Sequence, residues 1–302
     1  MNRVIVVVGP TGVGKTKLGV ELAKHFNSEV INGDSVQIYK ELDIGSAKVT
    51  LEEMEGIKHH LLDFKEIEEN YTVYDYQQDL RNKIKEFNDN SLVPIVVGGT
   101  GLYLKAALYD YSFNKEDDSN LNEYEEYSNE ELFNLLKEKD EKAASILHPN
   151  NRRRVVRALN IIENSGMKKS DIIDNQDHKP LYETIFIGLT LPRDTLYKRI
   201  DKRVDIMVRN GLLEEVKGLY DKYKEYDYKS LQAIGYKELF AHFKGELTLE
   251  ESLDLIKKKS RNYAKRQYTW FNNQFDVKWF DVNLDNFSET VNNVITYLEE
   301  NL

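Results

Sequence analysis

Five consecutive β-branched residues, Val4-Ile5-Val6-Val7-Val8, run directly into Gly9-Pro10-Thr11-Gly12-Val13-Gly14-Lys15-Thr16. A segment apolar on both faces reads as a strand buried in a parallel sheet. The octapeptide after it satisfies G-x-x-x-x-G-K-T, and Leu18, Leu22 and Phe26 then recur at helical spacing. Strand, loop and helix in that order are the context in which this pattern means phosphate binding. Gly12 and Gly14 let successive backbone N–H groups turn inward around a phosphate, and the helix adds its positive end. Lys15 supplies a mobile charge, and the Thr16 hydroxyl can ligate Mg2+. A plain connecting turn would need neither lysine nor threonine at those two positions.

The later runs fit the same architecture. A short strand, Glu29–Asn32, leads into Gly33-Asp34-Ser35, and a helix is predicted through Val73, Tyr76, Leu80, Ile84 and Phe87. A further buried-strand run, Leu92–Val97, stops at Gly98-Gly99-Thr100-Gly101. Strands alternating with helices predict an α/β fold, a P-loop-containing parallel sheet flanked by helices. From about residue 112 the chain turns acidic and polar (Asn114-Lys115-Glu116-Asp117-Asp118) and loses its strand pattern, which predicts an inserted all-helical subdomain over residues 113–179. The core then comprises residues 1–112 and 180–302. Within it Thr184–Leu191 rejoins the sheet, a helix through Leu196, Ile200, Val204 and Met207 ends at Asn210-Gly211, and the remainder reads as mostly helical. The polar stretch Asn122–Glu131 reads as a linker or solvated helix end. Adjacent His59 and His60 point in different directions and read as structural.

The sequence has a formal net charge of -10 over 302 residues, a pI near 5.3 and no cysteine. Such a chain does not coat nucleic acid non-specifically, so any nucleic-acid contact must be local. Disulfides, thiolate zinc sites and a cysteine nucleophile are excluded. Val4–Val8 is too short for a signal sequence or a membrane span, so a soluble, cytoplasmic protein is expected, with a monomer favoured. Many P-loop motors and switches carry an acid at the end of a second apolar strand to help hold Mg2+, whereas Leu92–Val97 ends in Gly-Gly-Thr-Gly. That favours a small-molecule transferase over a mechanical ATPase.

Asp34 follows a strand expected beside the P-loop strand, so its carboxylate would project over the ligand-binding edge of the sheet. It is placed either as a general base or as a cap for the turn that follows. Two basic stripes stand out on helical projection. Arg153, Arg154 and Arg157 share an arc of about 100°, with Val155, Val156, Leu159 and Ile162 opposite. Lys257, Lys258, Arg261 and Lys265 form the other, away from Leu253, Ile256, Tyr263 and Phe271.

Four segments in this order, Gly9–Thr16, Asp34-Ser35-Val36-Gln37-Ile38-Tyr39, Asp43-Ile44-Gly45-Ser46-Ala47-Lys48 and Gly98-Gly99-Thr100-Gly101-Leu102-Tyr103, resemble the tRNA dimethylallyltransferases, also called tRNA isopentenyltransferases. Later segments extend the resemblance over almost the whole chain: His148-Pro149-Asn150, Arg154 with Arg157-Ala158-Leu159, Gln232-Ala233-Ile234-Gly235-Tyr236-Lys237 and Ala264-Lys265-Arg266-Gln267-Tyr268-Thr269-Trp270. The resemblance implies transfer of a dimethylallyl group from dimethylallyl diphosphate to N6 of the adenosine 3' of the anticodon, with Mg2+ present and diphosphate leaving. In that reading the P-loop holds the donor's diphosphate, Asp34 takes the amine proton and Thr100 hydrogen-bonds near the amine. Arg203 faces the diphosphate in the same reading; alternatively it is a solvated arginine paired with an acid such as Asp205. The tRNA anticodon stem-loop would be met by Asp34, Ser35, Val36, Gln37 and Thr100, by Arg153, Arg154, Val155, Val156 and Arg157, by Gln232, Gly235, Tyr236 and Lys237, and by Arg261, Lys265 and Arg266. The Gln37 amide is suited to an adenine edge.

Other readings stay open on the sequence. A small-molecule kinase would use the same loop, Asp34 as base and Arg199 or Arg203 on a γ-phosphate. A prenyltransferase acting on free adenine nucleotides would not need the basic stripes. A nucleotide-gated binding module would leave Asp34 and Thr100 unexplained.

Overall fold

The computed structural model describes residues 3–111, 113, 124–166, 168, 170–171 and 178–302, so the acidic run Asn114–Asp118 and the start of the 122–131 stretch lie outside the described residues. The chain divides into two compact units, residues 1–108 with 181–302, and residues 109–180.

The larger unit is built on a six-stranded, all-parallel sheet in the order β3-β2-β4-β1-β5-β6. Its strands are β1 (Arg3–Val8), β2 (Val30–Asn32), β3 (His59–His60), β4 (Ile95–Val97), β5 (Glu183–Thr190) and β6 (Val277–Asp281). β1 lies inside the sheet with Val4–Val8 fully buried, as its unbroken β-branched run predicts. Its helices are α1 (Lys15–His25), α2 (Leu51–Met54), α3 (Val73–Asp89) and α4 (Gly101–Leu108), followed after the smaller unit by α8 (Arg193–Arg209), α9 (Leu212–Tyr223), α10 (Tyr236–Phe243), α11 (Leu249–Gln274) and α12 (Phe287–Asn301). Thr72 with Asp75 starts α3, and Thr248 with Glu251 starts α11, each through a reciprocal capping box. α3 buries Tyr76, Leu80, Ile84 and Phe87, the periodic residues of the sequence.

Two edge strands escape the sequence patterns. β3 is only two residues long, and β6 (Val-Lys-Trp-Phe-Asp) has no fully buried residue, so neither carries an uninterrupted apolar run. His59 and His60 form β3, with His60 against Glu29 at 2.5 Å. β4 begins at Ile95 rather than Leu92, because the chain is still turning out of α3: Ser91 has φ 59° and Leu92 N–H donates to the Phe87 carbonyl.

In the smaller unit α5 (Asn129–Lys139), α6 (Glu141–Ser145) and α7 (Arg152–Ser165) enclose their own core of Leu132, Leu136, Ala143, Val155, Ala158 and Leu159, without a strand among the described residues. Buried Asp140 caps α6 at Ala143 N and also accepts from Ser170 N.

Register sets the site. Val7 and Asn32 both pair with Val97, so β4 and β2 end level at Gly98 and Gly33, and β1 runs one residue further before Gly9. Gly98 and Gly33 approach so closely that a Cβ on Gly98 would lie 2.1 Å from the Gly33 carbonyl. Gly98→Ala is therefore expected to destabilise the protein by about 1–3 kcal/mol or more through backbone displacement. Gly218→Ala, in the exposed middle of α9 with open space around it, is expected to stabilise it by about 0.5–1 kcal/mol. Equilibrium denaturation of both variants checks the pair.

Candidate active site

A cavity of about 820 Å³ opens over the carboxyl ends of β1, β2 and β4, where open parallel sheets bind ligands. Its floor is the loop between β1 and α1. Gly14, at φ 103°, occupies the left-handed conformation that turns the chain into α1 and leaves the first N–H groups of that helix without side-chain caps. Lys15 Nζ donates to the Pro10 carbonyl at 2.9 Å. Burial pushes the Lys15 ammonium down to about 8, against the opposing attraction of Asp34 and with further repulsion from Arg203. Thr16 lines the same cavity.

Two arginines of α8 reach this loop. Arg203 donates to Thr11 Oγ1 at 3.3 Å and Arg199 to the Gly12 carbonyl at 3.1 Å. Burial lowers the Arg203 pKa, while Glu53 and Asp34 favour its charged form. Asp205, the alternative partner for Arg203, is instead paired with Lys257 at 2.6 Å. Arg203 thus faces the cavity rather than forming that surface pair.

Asp34 follows β2 on a turn fixed by Asn32, whose Oδ1 accepts from Asp34 N and whose Nδ2 donates to the Asp34 and Leu61 carbonyls. The capping reading of Asp34 is seen directly, and the same carboxylate stands at the cavity. Oδ1 accepts from Val36 N at 2.9 Å and so caps the turn, while the carboxylate lines the cavity and acts electrostatically on Lys15 and Arg203. Thr100 does not line the cavity. Its hydroxyl accepts from Ser35 N at 3.0 Å and donates to Ser35 Oγ at 3.2 Å, so it reaches the cavity through Ser35. Tyr263 also lines it; burial and nearby Asp34 raise its phenol pKa above the ordinary range, keeping it a proton donor.

Gln37 lines the cavity with its amide already committed: Nε2 donates to the Ser46 and Ala47 carbonyls at 3.2 and 3.0 Å. A two-way pairing with an adenine edge therefore requires that amide to break from the loop. The 43–48 loop is itself gripped by Glu215, which accepts from Ile44 N, Gly45 N and Tyr236 Oη, while Ser46 N donates to that phenol.

Several residues expected to touch RNA are corrected by their surroundings. Tyr236 is fully buried and serves the Glu215 clamp. Val155 and Val156 are buried in the core of the smaller unit, because they lie on the apolar face of α7 and leave Arg153, Arg154 and Arg157 outside. Arg261 is paired with Asp201 and Lys257 with Asp205, so two members of the second basic stripe are neutralised from α8. Gln232 and Gly235 line the cavity, as does Arg266, whose guanidinium lies over the Tyr263 ring. Lys237 and Lys265 are exposed and do not line it.

One residue without a sequence-assigned role stands at the centre. Gln267 is buried, accepts from Thr11 N at 3.0 Å and donates to the Gly99 carbonyl at 3.0 Å. Its spacing of four from Tyr263 on α11 puts both side chains on one face, and Gln267 also falls in the Ala264–Trp270 segment that resembles the family, though neither signal gave it a role. No cluster of three or more metal-ligating side chains occurs, and no helix is long and apolar enough to cross a membrane, among the described residues.

Residues 37–274 match the IPP transferase family. The chain is 50% identical to the tRNA dimethylallyltransferase of Bacillus licheniformis over 302 residues, covering 98% of this chain and 96% of that protein. Its counterpart in Bacillus subtilis is 49% identical over 92% of this chain and 90% of its own length. Among solved structures, the full-length tRNA isopentenylpyrophosphate transferase of Bacillus halodurans superposes with a TM-score of 0.74 at 44% identity, covering 99% and 98% of the two chains. A eukaryotic dimethylallyltransferase acting on tRNA superposes with a TM-score of 0.82 at 33% identity, over 93% of this chain and 74% of that one. The match to that family over residues 37–274, with similarity over nearly the whole chain to tRNA dimethylallyltransferases, places this chain in the IPP transferase family.

Proposed function

We propose that the protein transfers a dimethylallyl group from dimethylallyl diphosphate to N6 of the adenosine 3' of the anticodon in tRNA, releasing diphosphate. The observation that carries this reading is the placing of a carboxylate at a strand end, Asp34, in the same cavity as two half-buried cations, Lys15 and Arg203. The donor's diphosphate lies on the Gly9–Thr16 loop against those cations, and the acceptor base enters beside Asp34. The new bond joins N6 to the first carbon of the prenyl group as that carbon's bond to the diphosphate oxygen breaks. The amine proton passes to Asp34 and then to solvent. An aromatic amine is a weak nucleophile, so a carboxylate that orients it and accepts its proton aids the step. Arg203 and the loop N–H groups stabilise the charge that grows on the leaving oxygen.

Thr16 carries no protein hydrogen bond on its hydroxyl among the described residues and no carboxylate cluster stands by it. The Thr16 hydroxyl would be the protein group that holds a Mg2+ ion there. Such an ion would neutralise leaving-group charge. The base must leave its stack to reach Asp34, and the exposed Arg153, Arg154 and Arg157 on α7, with Lys265 and Arg266 on α11, are the surfaces assigned to the RNA. No membrane partner is assigned, and a cytoplasmic monomer is the state proposed.

Incubation with unmodified tRNA and donor labelled in the prenyl group is expected to place label on the adenosine 3' of the anticodon. Asp34→Asn, nearly isosteric, should lower turnover by about 10²–10⁴-fold while both substrates still bind. Wild-type turnover in that variant removes the base role. Label moving from the γ-phosphate of ATP to a small acceptor, or onto free adenine nucleotides in preference to tRNA, contradicts the substrate assignment.

The depressed Lys15 pKa yields a second outcome. Near pH 7 the ammonium is charged, and it loses its proton as pH rises through about 8. Bound diphosphate favours the charged form, so binding raises this pKa and takes up a proton. Donor affinity should hold below that pH and fall above it, approaching about tenfold per pH unit. Lys15→Met should bind more weakly with a flattened profile; calorimetry across about pH 6.5–9.5 measures both.

A further inference from the structure

We propose that Gln267 is a positioning residue that fixes the separation between the leaving diphosphate and the attacking amine. The inference rests on the transfer reaction assigned above and adds a component to it. Gln267 enters from α11, far along the chain, and its one amide joins the two loops that would hold the two reactants. Oε1 accepts from Thr11 N, in the phosphate loop, and Nε2 donates to the carbonyl of Gly99, which precedes Thr100. The amide's orientation is unambiguous, since a backbone N–H only donates and a carbonyl only accepts. The fit is also tight: a Cβ on Gly99 would stand 2.2 Å from Gln267 Nε2 and 3.9 Å from Asp34 Oδ2, so the amide, the acceptor loop and the base pack at one point. Neither a carboxylate nor an apolar side chain can serve both partners. Group transfer depends on holding nucleophile, carbon and leaving oxygen in line, and a shift of about 1 Å can cost about 10²-fold in rate.

The test compares Gln267→Met, similar in reach without hydrogen bonds, with Gln267→Glu, which keeps an acceptor for Thr11 N but sets an anion against the Gly99 carbonyl. Melting temperature, KM for dimethylallyl diphosphate, kcat for transfer to tRNA, and the ratio of dimethylallyl alcohol released to group transferred are measured. In folded variants kcat is expected to fall about 10–100-fold with donor KM held within about threefold. The alcohol ratio should rise, as water captures a carbon the amine no longer meets. A folded Q267M with kcat within about threefold of wild type overturns the proposal. So does a raised KM with unchanged kcat, or a fall in kcat without the rise in alcohol. If neither variant folds, the side chain is a structural strut and the proposal is wrong. Wild-type protein that transfers no prenyl group refutes the assigned reaction instead, a failure visible before any variant is compared.

Discussion

Half-buried positive charge is the constraint on which the site depends. Lys15 and Arg203 stand together in the cavity with burial opposing the charge on each, while Asp34 favours the charge on both and Glu53 that on Arg203. Charge drawn partly out of water is expensive to a fold. The surrounding structure holds it in place: the glycine loop anchors Lys15 at Pro10, α8 delivers Arg203 to Thr11, and α11 locks that same segment through Gln267. An anion bound between these cations would offset that cost, as the proposed diphosphate would.

The strand ends around Asp34 are held by different means. Gly98 against Gly33 brings the tips of β4 and β2 into backbone contact, and Thr100 and Asn32 then fix Ser35 and Asp34 from either flank. The Glu215 and Tyr236 clamp sets the 43–48 loop, which in turn holds the Gln37 amide. Polar residues that sequence reasoning aims at a substrate are thus partly occupied in supporting one another. Two of the α11 cations, Lys257 and Arg261, are likewise paired to α8 aspartates.

What could be read from the sequence follows from how locally each feature is encoded. Val4–Val8, the glycine loop, Asp34 and the Gly98–Gly101 segment are contiguous, and their strand-end positions follow from the buried runs before them. β3 and β6 could not be read, because edge strands half in solvent lack those runs. Tyr236 sits in a segment similar to the family's, yet whether such a residue faces substrate or core is decided by Glu215 and Gly45, which pack on it from elsewhere in the chain. Val155 and Val156 illustrate the reverse: helical projection already put them opposite the arginines, and the assignment of the whole 153–157 segment to RNA overrode it. Gln267 required knowing that α11 passes over the phosphate loop, which no local pattern encodes.

A crystal structure of the protein with an anticodon stem-loop RNA and an unreactive thio-linked donor analogue tests the central claim most directly. The account predicts the diphosphate on the Gly12–Thr16 N–H groups between Lys15 and Arg203, with N6 of the extruded adenosine within hydrogen-bond distance of the Asp34 carboxylate. A diphosphate bound elsewhere, or an adenosine whose N6 lies away from Asp34, contradicts it.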